Sequence, residues 1–494
     1  MKINISKYLA ILLLLAVVSC KKDYLETKPS NGVTRDQLLS HTADISTALD
    51  GAYKALYAYG ANGTTGHDNF GQKAVDLASD LMGADMVVHL AGYGWFNRDY
   101  QYAEWILPDA TNRRPDIVWY YYYDIIKQAN IILSVIDQAS GPVADRESIK
   151  GQALGLRAYS YYYLINLFQQ TYKGNEGKPG VPIYTEPAID GKPRGTVQNV
   201  YDLILKDLTD AETLLANKTM PDKVHISVNV IRGFRARIAM LMEDWGAAAT
   251  YANKARTGYS PMTSAQYGQG FSQISNPEWM WGSLITADQA TIYASFFSHM
   301  DVATGGYASL GGQKKITKAL YDQIPSTDVR KTLFRTPGTG TSTYPDYNQT
   351  KHHVPTPGSW VADYLYMRAA EMYLIEAEAL QRQGGQDANA RTLLETLIKT
   401  RNPSYSAGTL SGQSLLDEIL LQRRIELWGE GFALMDIKRL KTGLHRATGA
   451  GNHGSPSLDP VVYNLPNADP TMIMKIPKRE MDNNATFTAA DQNP

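Results

Sequence analysis

Two pairs of glutamates in the last third of the sequence have a spacing that could support acid–base chemistry. Glu371 and Glu378 are seven residues apart and Glu426 and Glu430 are four apart, so each pair would share one face of a helix. Two carboxyl groups about 5–10 Å apart across a sugar can hydrolyse a glycosidic bond. The arginines that lie nearby in the sequence are Arg368, Arg423, Arg424 and Arg439. Because arginines would hold these carboxylates in ion pairs, we predict a structural role for the glutamates and no catalytic residue.

Two segments, residues 85–105 and 277–307, combine aromatic rings with polar side chains and lack a helical period. A flat indole or phenol ring can pack against the apolar C–H face of a sugar, while amides and carboxylates bond its hydroxyls. The predicted ligand-binding residues are Asp85, Tyr93, Trp95, Asn97, Trp281, Phe296 and Tyr307. Trp95 is the strongest candidate. The alternative is that half or more of these rings anchor the loops internally. If their segment is a strand, Trp279 and Trp281 would be exposed together or buried together.

Metal and cofactor motifs are missing from the sequence. The nine histidines form neither an HExxH motif nor a ligand cluster. No phosphate-binding loop, dinucleotide fingerprint or nucleophilic-serine motif occurs with the correct flanking elements. We therefore predict no cofactor and no metal site, although a calcium site built from loop oxygens stays open because it needs no motif.

The N-terminus resembles a secretory leader. Lys2 and Lys7 precede a short apolar run that is too short to span a membrane, and the run ends at Ser19 and Cys20. Cys20 is the only cysteine of the chain, at the position where bacterial lipoprotein signals carry the acylated residue. We predict a signal peptide over residues 1–19, lipidation of Cys20 and a tether over 20–35. The alternative is an ordinary secreted protein.

The formal charge of −1 becomes −3 when the leader takes Lys2 and Lys7 with it. No basic patch or basic tail points to nucleic acid as a partner. Elsewhere apolar residues recur three and four apart, which predicts helices over about 45–56, 117–137, 147–169, 197–211, 226–242, 245–256, 361–383, 386–401 and 413–440. Residues 60–110 and 257–360 lack this period and are predicted to be long irregular loops. Thr196 is a predicted N-cap.

The paired helices predict a mostly α fold, a tetratricopeptide-like superhelix with long irregular loop regions packed on one side. Alanines at the close contact of two helices carry this prediction: Ala236, Ala239, Ala248, Ala252 and Ala255. A generic helical bundle is the alternative. We predict one domain over 36–494, with a helical core at about 40–256 and 361–440, a loop-rich binding subdomain at about 257–360, and an irregular C-terminal segment over 441–494.

Several segments together resemble one known family. The most specific is Arg423-Arg424-Ile425-Glu426-Leu427, followed by Glu430-Gly431, Asp436 and Arg439. Further matching positions are Trp119, Asn130, Arg157, Gly180-Val181-Pro182, Thr196-Val197, Arg368, Glu371 and Ile476-Pro477. With these residues the chain resembles the SusD/RagB family of outer-membrane nutrient-binding lipoproteins over nearly its whole length. Phe432 and Ala485 depart from the family pattern.

The resemblance implies a function and a partner. It implies capture of an oligomeric nutrient at the cell surface, a glycan or alternatively a peptide, without cleavage. It also implies delivery to a SusC-like TonB-dependent β-barrel transporter, with the lipid anchor holding the protein on the outer membrane and facing the cell exterior. Two other functions stay open from the residues alone, a surface glycosidase on a helical scaffold and a protein-binding repeat scaffold.

Overall fold

The computed structural model of the chain describes residues 39–60, 64–103, 113–454 and 457–494. The predicted signal peptide, Cys20 and the tether over 20–35 lie outside the described residues. The described part is mostly helical, as predicted. The helices are α1 Thr42–Ala55, α2 Gln72–Leu81, α3 Asn97–Tyr100, α4 Arg113–Val135, α5 Val143–Phe168, α6 Val197–Leu215, α7 Val228–Met242, α8 Trp245–Arg256, α9 Ser264–Tyr267, α10 Phe296–Met300, α11 Lys318–Tyr321, α12 Ala369–Gln383, α13 Asp387–Ile398, α14 Gly412–Glu426, α15 Ala433–Leu440 and α16 Lys478–Asn483.

Short strands and 3-10 turns connect the helices. The strands are β1 Met86–Val88, β2 Pro179–Pro182, β3 Arg194–Thr196, β4 Trp279–Ser283, β5 Lys314–Ile316, β6 Tyr364–Arg368, β7 Leu444–His445 and β8 Asn464–Leu465. They form two-stranded antiparallel sheets, β1 with β5, β2 with β3, β4 with β6 and β7 with β8. The 3-10 turns are Ile136–Gln138, Val302–Thr304, Val329–Leu333, Pro470–Met472 and Ala489–Asp491. Within the described ranges, no helix is both long and apolar enough to cross a membrane.

Consecutive helices pack against one another in series. Helix α4 packs on α5, α5 on α6 and α7 on α8, and α8 then packs on α12, which continues the series into α13. Small residues allow α7 and α8 to approach closely, because all five alanines of the predicted contact are buried. This arrangement confirms the predicted tetratricopeptide-like fold. The division into a helical core, a loop-rich subdomain and a C-terminal segment stays a prediction.

The side chains at the helix starts explain where several helices begin. Thr196 and Asn199 form a capping box at α6, which confirms the predicted N-cap. The side chains of Ser227 and Asp244 accept backbone N–H bonds at the starts of α7 and α8. The central helix α5 is buried on almost every side. Its tyrosines pack between helices, and the rings of Tyr163 and Tyr122 stack with centroids 5.4 Å apart.

Three predicted elements differ most from the structure. Residues 72–81, predicted to be part of a loop, form α2, whose ten residues are all buried. Ala74, Val75, Leu77, Ala78 and Leu81 do recur with a helical period, but the charged residues between them and the glycine-rich flank make the segment resemble a surface loop. The predicted helix 361–383 begins as strand β6 and becomes helical only at Ala369. The predicted helix 413–440 is broken between α14 and α15 by Gly429 and Gly431, whose φ angles are 80° and 93°.

Candidate functional site

The sheet formed by β1 and β5 brings the two predicted aromatic segments together. Met86 pairs with Ile316 and Val88 with Lys314, and the backbone N–H of His89 donates to the Gln313 carbonyl at 2.9 Å. Just beyond the sheet the two loops approach closely at Gly92, where an added Cβ would lie 3.0 Å from the backbone nitrogen of Gly312. Gly92 also has a φ of 50°, so the close approach and the backbone angle both favour glycine.

The joined loops and two further segments, which supply Tyr59, His67 and Trp360, present a continuous group of rings that we call the aromatic patch. Its members are Tyr59, His67, Tyr93, Trp95, Tyr293, Tyr307 and Trp360. His67 stacks on Trp95 with centroids 5.4 Å apart and on Tyr293 at 5.9 Å, where the two planes differ by 8°. Tyr307 contacts Tyr93 and Tyr293, each at 5.4 Å. The patch therefore centres on His67 and Tyr307.

Hydrogen bonds fix the centre of the patch from below. The Tyr307 hydroxyl lies 2.6 Å from Nδ1 of His67. Buried His299 stacks on the Tyr307 ring at 5.1 Å, and its Nε2 donates to the His67 carbonyl at 2.9 Å. Burial lowers the pKa of His299 well below its usual value, so this ring is neutral at physiological pH. The central rings therefore have a fixed orientation before any ligand arrives.

Exposure increases from the centre of the patch to its rim. Tyr93, Tyr293 and Tyr59 are 69%, 42% and 38% exposed, whereas Trp95 and Tyr307 are half-buried. Large exposed rings anchored by half-buried ones offer flat apolar area with polar edges. Such a surface can stack on sugar faces and bond their hydroxyls.

The glutamates that could have been catalytic lie in a buried ion network instead. Glu426 accepts hydrogen bonds from Arg368 and Arg401, each at 2.8 Å, and from Arg330 at 3.2 Å. Glu430 accepts from Lys351 at 2.6 Å and from Arg368. These cations lower the pKa of Glu426 well below its usual range and that of Glu430 to about 2. Neither carboxylate holds a proton at neutral pH, so neither can serve as a general acid.

The other two glutamates are also paired, which confirms the predicted structural role. Glu371 bonds Arg237 at 2.7 Å, and Glu378 bonds Arg439 at 2.7 Å and Arg382 at 2.9 Å. Among the residues with described positions, no three His, Cys, Asp or Glu side chains come together in a group that could hold a metal ion.

Two family patterns match the chain. The one described as SusD-like_3, "Starch-binding associating with outer membrane", matches residues 23–240. The one described as SusD_RagB, "SusD family", matches residues 323–494. The chain belongs to the SusD/RagB family. The two matched segments lie on either side of the region that supplies Tyr293 and Tyr307.

Known proteins of the family resemble this one over nearly their whole length. A SusD-like carbohydrate-binding protein from Bacteroides vulgatus ATCC 8482 is 28% identical, with a TM-score of 0.79 over 92% of this chain and 98% of that chain. SusD-like protein P38 from Formosa agariphila is 23% identical over 88% of this chain and 91% of its own length. Surface glycan-binding protein A from Bacteroides thetaiotaomicron, solved in complex with laminarihexaose, shares the fold at 18% identity, with a TM-score of 0.70 over 91% of this chain and 99% of its own.

The predicted binding residues of this SusD-family protein fall into three groups. Tyr93, Trp95 and Tyr307 are brought together in the aromatic patch. Asn97 lies beside them, where its side-chain amide donates to the Ala91 carbonyl at 2.8 Å and fixes the loop. Its contact with a ligand stays a prediction.

Asp85 lies at the other end of β1 from the patch. Its carboxylate bonds Arg424 at 2.7 and 2.9 Å, and its carbonyl accepts from the Trp428 indole at 3.0 Å. It lines a different cavity, which none of the seven rings of the patch lines, and its contact with a ligand stays a prediction. Strand β1 separates Asp85 from the patch, although only eight positions separate it from Tyr93 in sequence.

Trp281 and Phe296 are core residues, and their prediction as ligand contacts is wrong. Trp281 is 0% exposed because β4 pairs with β6 and presses its indole against Tyr159 and Tyr366, at 5.3 and 5.0 Å. Its Nε1 donates to the Val224 carbonyl. Trp279 is equally buried, so the two rings of the strand are buried together as predicted. Phe296 is 2% exposed, and the buried ammonium group of Lys73 lies 4.5 Å from the centre of its ring.

The prediction missed four rings of the aromatic patch. Tyr59, His67 and Trp360 lie outside both predicted segments, and Tyr293 lies inside the second one. Tyr59 follows the end of α1, in a segment rich in glycine and asparagine, which is the one local signal of a surface loop. No spacing in the sequence connects residues 59, 67, 293 and 360, because long-range packing brings them together.

Proposed function

We propose that this chain binds an oligosaccharide at the aromatic patch and delivers it, uncleaved, to a SusC-like TonB-dependent transporter in the outer membrane. The observation that carries the proposal is the patch itself. It consists of seven rings from four separate segments, with a fixed centre and an exposed rim. Membership of a family with carbohydrate-binding relatives supports the same ligand class.

The expected mode of binding follows from the ring geometry. Tyr93 and Tyr293 are both exposed and each contacts Tyr307 at 5.4 Å, so the two rings can stack on different sugar units of one chain. Sugars bind such surfaces by burying C–H area, and each contact is worth a modest free energy. A chain that spans several rings therefore binds more tightly than a monosaccharide.

The absence of cleavage is supported by the state of the glutamates. Hydrolysis of a glycoside needs one carboxyl group that is protonated at working pH and a second one across the bond. Glu371, Glu378, Glu426 and Glu430 are instead buried and paired with cations.

The transporter and the membrane anchor complete the proposal. Lipidation of Cys20 would hold the protein at the membrane, and two or more acyl chains suffice for stable anchoring. A transporter beneath the bound glycan would add a second contact, which raises the effective concentration of the ligand and makes moderate affinity sufficient. Family membership supports this partner.

The test combines binding, product analysis and location. The mature chain is titrated with glucan, xylan and mannan oligosaccharides, laminarihexaose and a set of peptides, and the length of each oligomer is followed by chromatography. We expect saturable binding of at least one glycan with no shortening. Shortening would favour a glycosidase, and no binding by any oligosaccharide would refute the proposed function.

Location and partner are tested in cells. We expect Cys20→Ala to move the protein out of the outer-membrane fraction and the unaltered chain to co-purify with a TonB-dependent barrel from detergent-solubilised membranes. An unchanged location of Cys20→Ala would refute the anchor, and purification without any such barrel would refute the delivery step.

A further inference from the structure

A second surface of the protein, remote from the aromatic patch, has the form of a helix-binding groove. A cavity of about 710 Å³ lies between the facing sides of α14 and α15. None of the seven rings of the patch lines it. We call it the α14–α15 groove. Its floor is formed by the end of α2 and the start of β1, including Asp85.

One face of α14 and of the turn after it borders the groove. Ser414, Asp417, Leu421, Arg424 and Trp428 are three, four, three and four positions apart, and all of them line the cavity. Spacings of three and four place side chains on one face of a helix. This face combines the apolar Leu421 and Trp428 with polar side chains, of which Ser414, Asp417 and Arg424 are exposed.

The opposite wall repeats the pattern. Ala433, Ile437 and Leu440 of α15 are four and three positions apart and also line the cavity. Leu421, Ile437 and Leu440 are partly exposed, so apolar area on both walls is open to solvent. The glycine turn between α14 and α15 connects the two walls. Two apolar helix faces around an open trough match the mode in which an amphipathic helix lies in a groove.

Charge distinguishes the two ends of the groove. Arg424, near the C-terminal end of α14, is already paired with Asp85 at 2.7 Å. Near the other end, Asp417 accepts only an amide bond from Gln413, and Glu418 accepts from Tyr405 and Gln422. Within the described chain neither of these two carboxylates forms an ion pair. The unneutralised end therefore favours a cationic partner.

We propose that the α14–α15 groove receives an amphipathic α-helix of a partner protein, with aliphatic side chains along one face and Lys or Arg residues opposite Asp417 and Glu418. Helix α14 has 15 residues, so about four turns of partner helix, roughly 22 Å, fill the length of the wall. This site is independent of the proposed glycan binding.

The test uses two synthetic 15-residue helical peptides. Both carry Leu in the three-four spacing, and their other charged positions are all Lys in one peptide and all Glu in the other. Fluorescence anisotropy with the full mature chain measures their dissociation constants. We expect the Lys peptide to bind about five- to tenfold more tightly than the Glu peptide, because two surface ion pairs contribute modestly.

Variants then locate the site. Asp417→Lys should weaken the Lys peptide and strengthen the Glu peptide. The matched control is Asp202→Lys on α6, because Asp202 is also exposed and bonded only to a glutamine one turn earlier. Leu421→Arg, and separately Ile437→Gln, should weaken both peptides by about tenfold or more, while oligosaccharide binding and the melting temperature show that the variants are folded.

Three results would overturn the proposal. They are equal binding of the two peptides, equal effects of Asp417→Lys and Asp202→Lys, and no saturable binding below about 1 mM peptide. Sedimentation of the wild-type chain could give a fourth result of this kind. A concentration-dependent dimer that Leu421→Arg abolishes would assign the groove to a second copy of this chain instead of a partner helix.

Discussion

Replacing Glu426 by glutamine should destabilise the protein more than almost any other substitution of one polar residue by another. Glu426 is 0% exposed and is a member of a buried network with four positive and four negative groups. The members are Arg330, Lys351, Arg368, Arg401, Glu278, Asp328, Glu426 and Glu430. Glutamine keeps the shape of the side chain but leaves the network with one uncompensated positive charge.

The magnitude follows from the burial of the network. Removing one partner of a buried ion pair costs about 3–5 kcal/mol, because the remaining charge stays desolvated. Whole domains are stable by only about 5–15 kcal/mol, so the loss is a large fraction of the total. Glu147→Gln is the control, since Glu147 pairs with Lys218 at 2.7 Å but its side chain is 44% exposed. For Glu147→Gln we expect the free energy of unfolding to fall by less than about 1 kcal/mol.

Urea unfolding followed by tryptophan fluorescence gives the free energies of unfolding. Arg401→Met combined with Glu426→Gln restores the charge balance, so the double variant should lose less than the sum of the two single variants. The pH dependence adds a second readout. The folded pKa values of Glu426 and Glu430 lie below the unfolded value, so their contribution is present at neutral pH and is lost as the pH falls from about 4.5 towards about 2. Similar losses for Glu426→Gln and Glu147→Gln would refute this reasoning.

Three further substitutions test other parts of the fold. Burial raises the pKa of Asp80 to about 7, while its carboxylate accepts the backbone N–H groups of Gly431 and Ala433. Because the folded pKa lies above the unfolded one, the contribution of Asp80 to the free energy of unfolding should fall as the pH rises from about 4 to about 7. Asp80→Asn should remove this slope from a plot of urea midpoint against pH. Gly71→Ala should lower the free energy of unfolding by more than about 2 kcal/mol, because φ is 74° and the new Cβ would lie 2.1 Å from the Leu56 carbonyl oxygen. Gly177→Ala is the control, since a Cβ there meets open space, and its free energy of unfolding should change by no more than about 0.5 kcal/mol. Thr196→Ala should cost about 1 kcal/mol through loss of the capping box, and an unchanged unfolding midpoint would contradict that role.

The sequence predicts the helices well where one face is apolar and the other is polar. Helix α8 was predicted over residues 245–256 and lies there, because its alanines face α7 while its other side is exposed. The prediction failed for α2, because its charged residues Lys73, Asp76 and Asp80 indicate a surface segment but are buried. The N–H groups that bond Asp80 come from Gly431 and Ala433, which no local pattern reveals. Of the four arginines predicted to pair with the glutamates, Arg368 and Arg439 do so, whereas Arg423 and Arg424 pair with Asp436 and Asp85. The sequence did not indicate the other partners of these glutamates, which are Arg237, Arg330, Lys351, Arg382 and Arg401.

The candidate site was predicted only in part. An aromatic residue in an irregular segment is equally compatible with a binding surface and with a loop core, and only the pairing of strands decides between them. Pairing of β4 with β6 buries Trp281, whereas pairing of β1 with β5 places Trp95 beside Tyr307. His67 illustrates what sequence cannot supply, since three of its four described ring neighbours, Trp95, Tyr293 and Tyr307, are distant in the chain.

The central claim is that the aromatic patch holds an intact oligosaccharide. The most direct measurement is a crystal structure of the mature chain soaked with the tightest-binding oligosaccharide from the panel, together with calorimetry of Tyr293→Ala and of Tyr251→Ala, a half-buried ring on α8 outside the patch. We expect unbroken sugar density stacked on Tyr93, Trp95 or Tyr293, and at least about a tenfold loss of affinity for Tyr293→Ala alone. Sugar bound elsewhere, or equal affinity for the two variants, would contradict the claim.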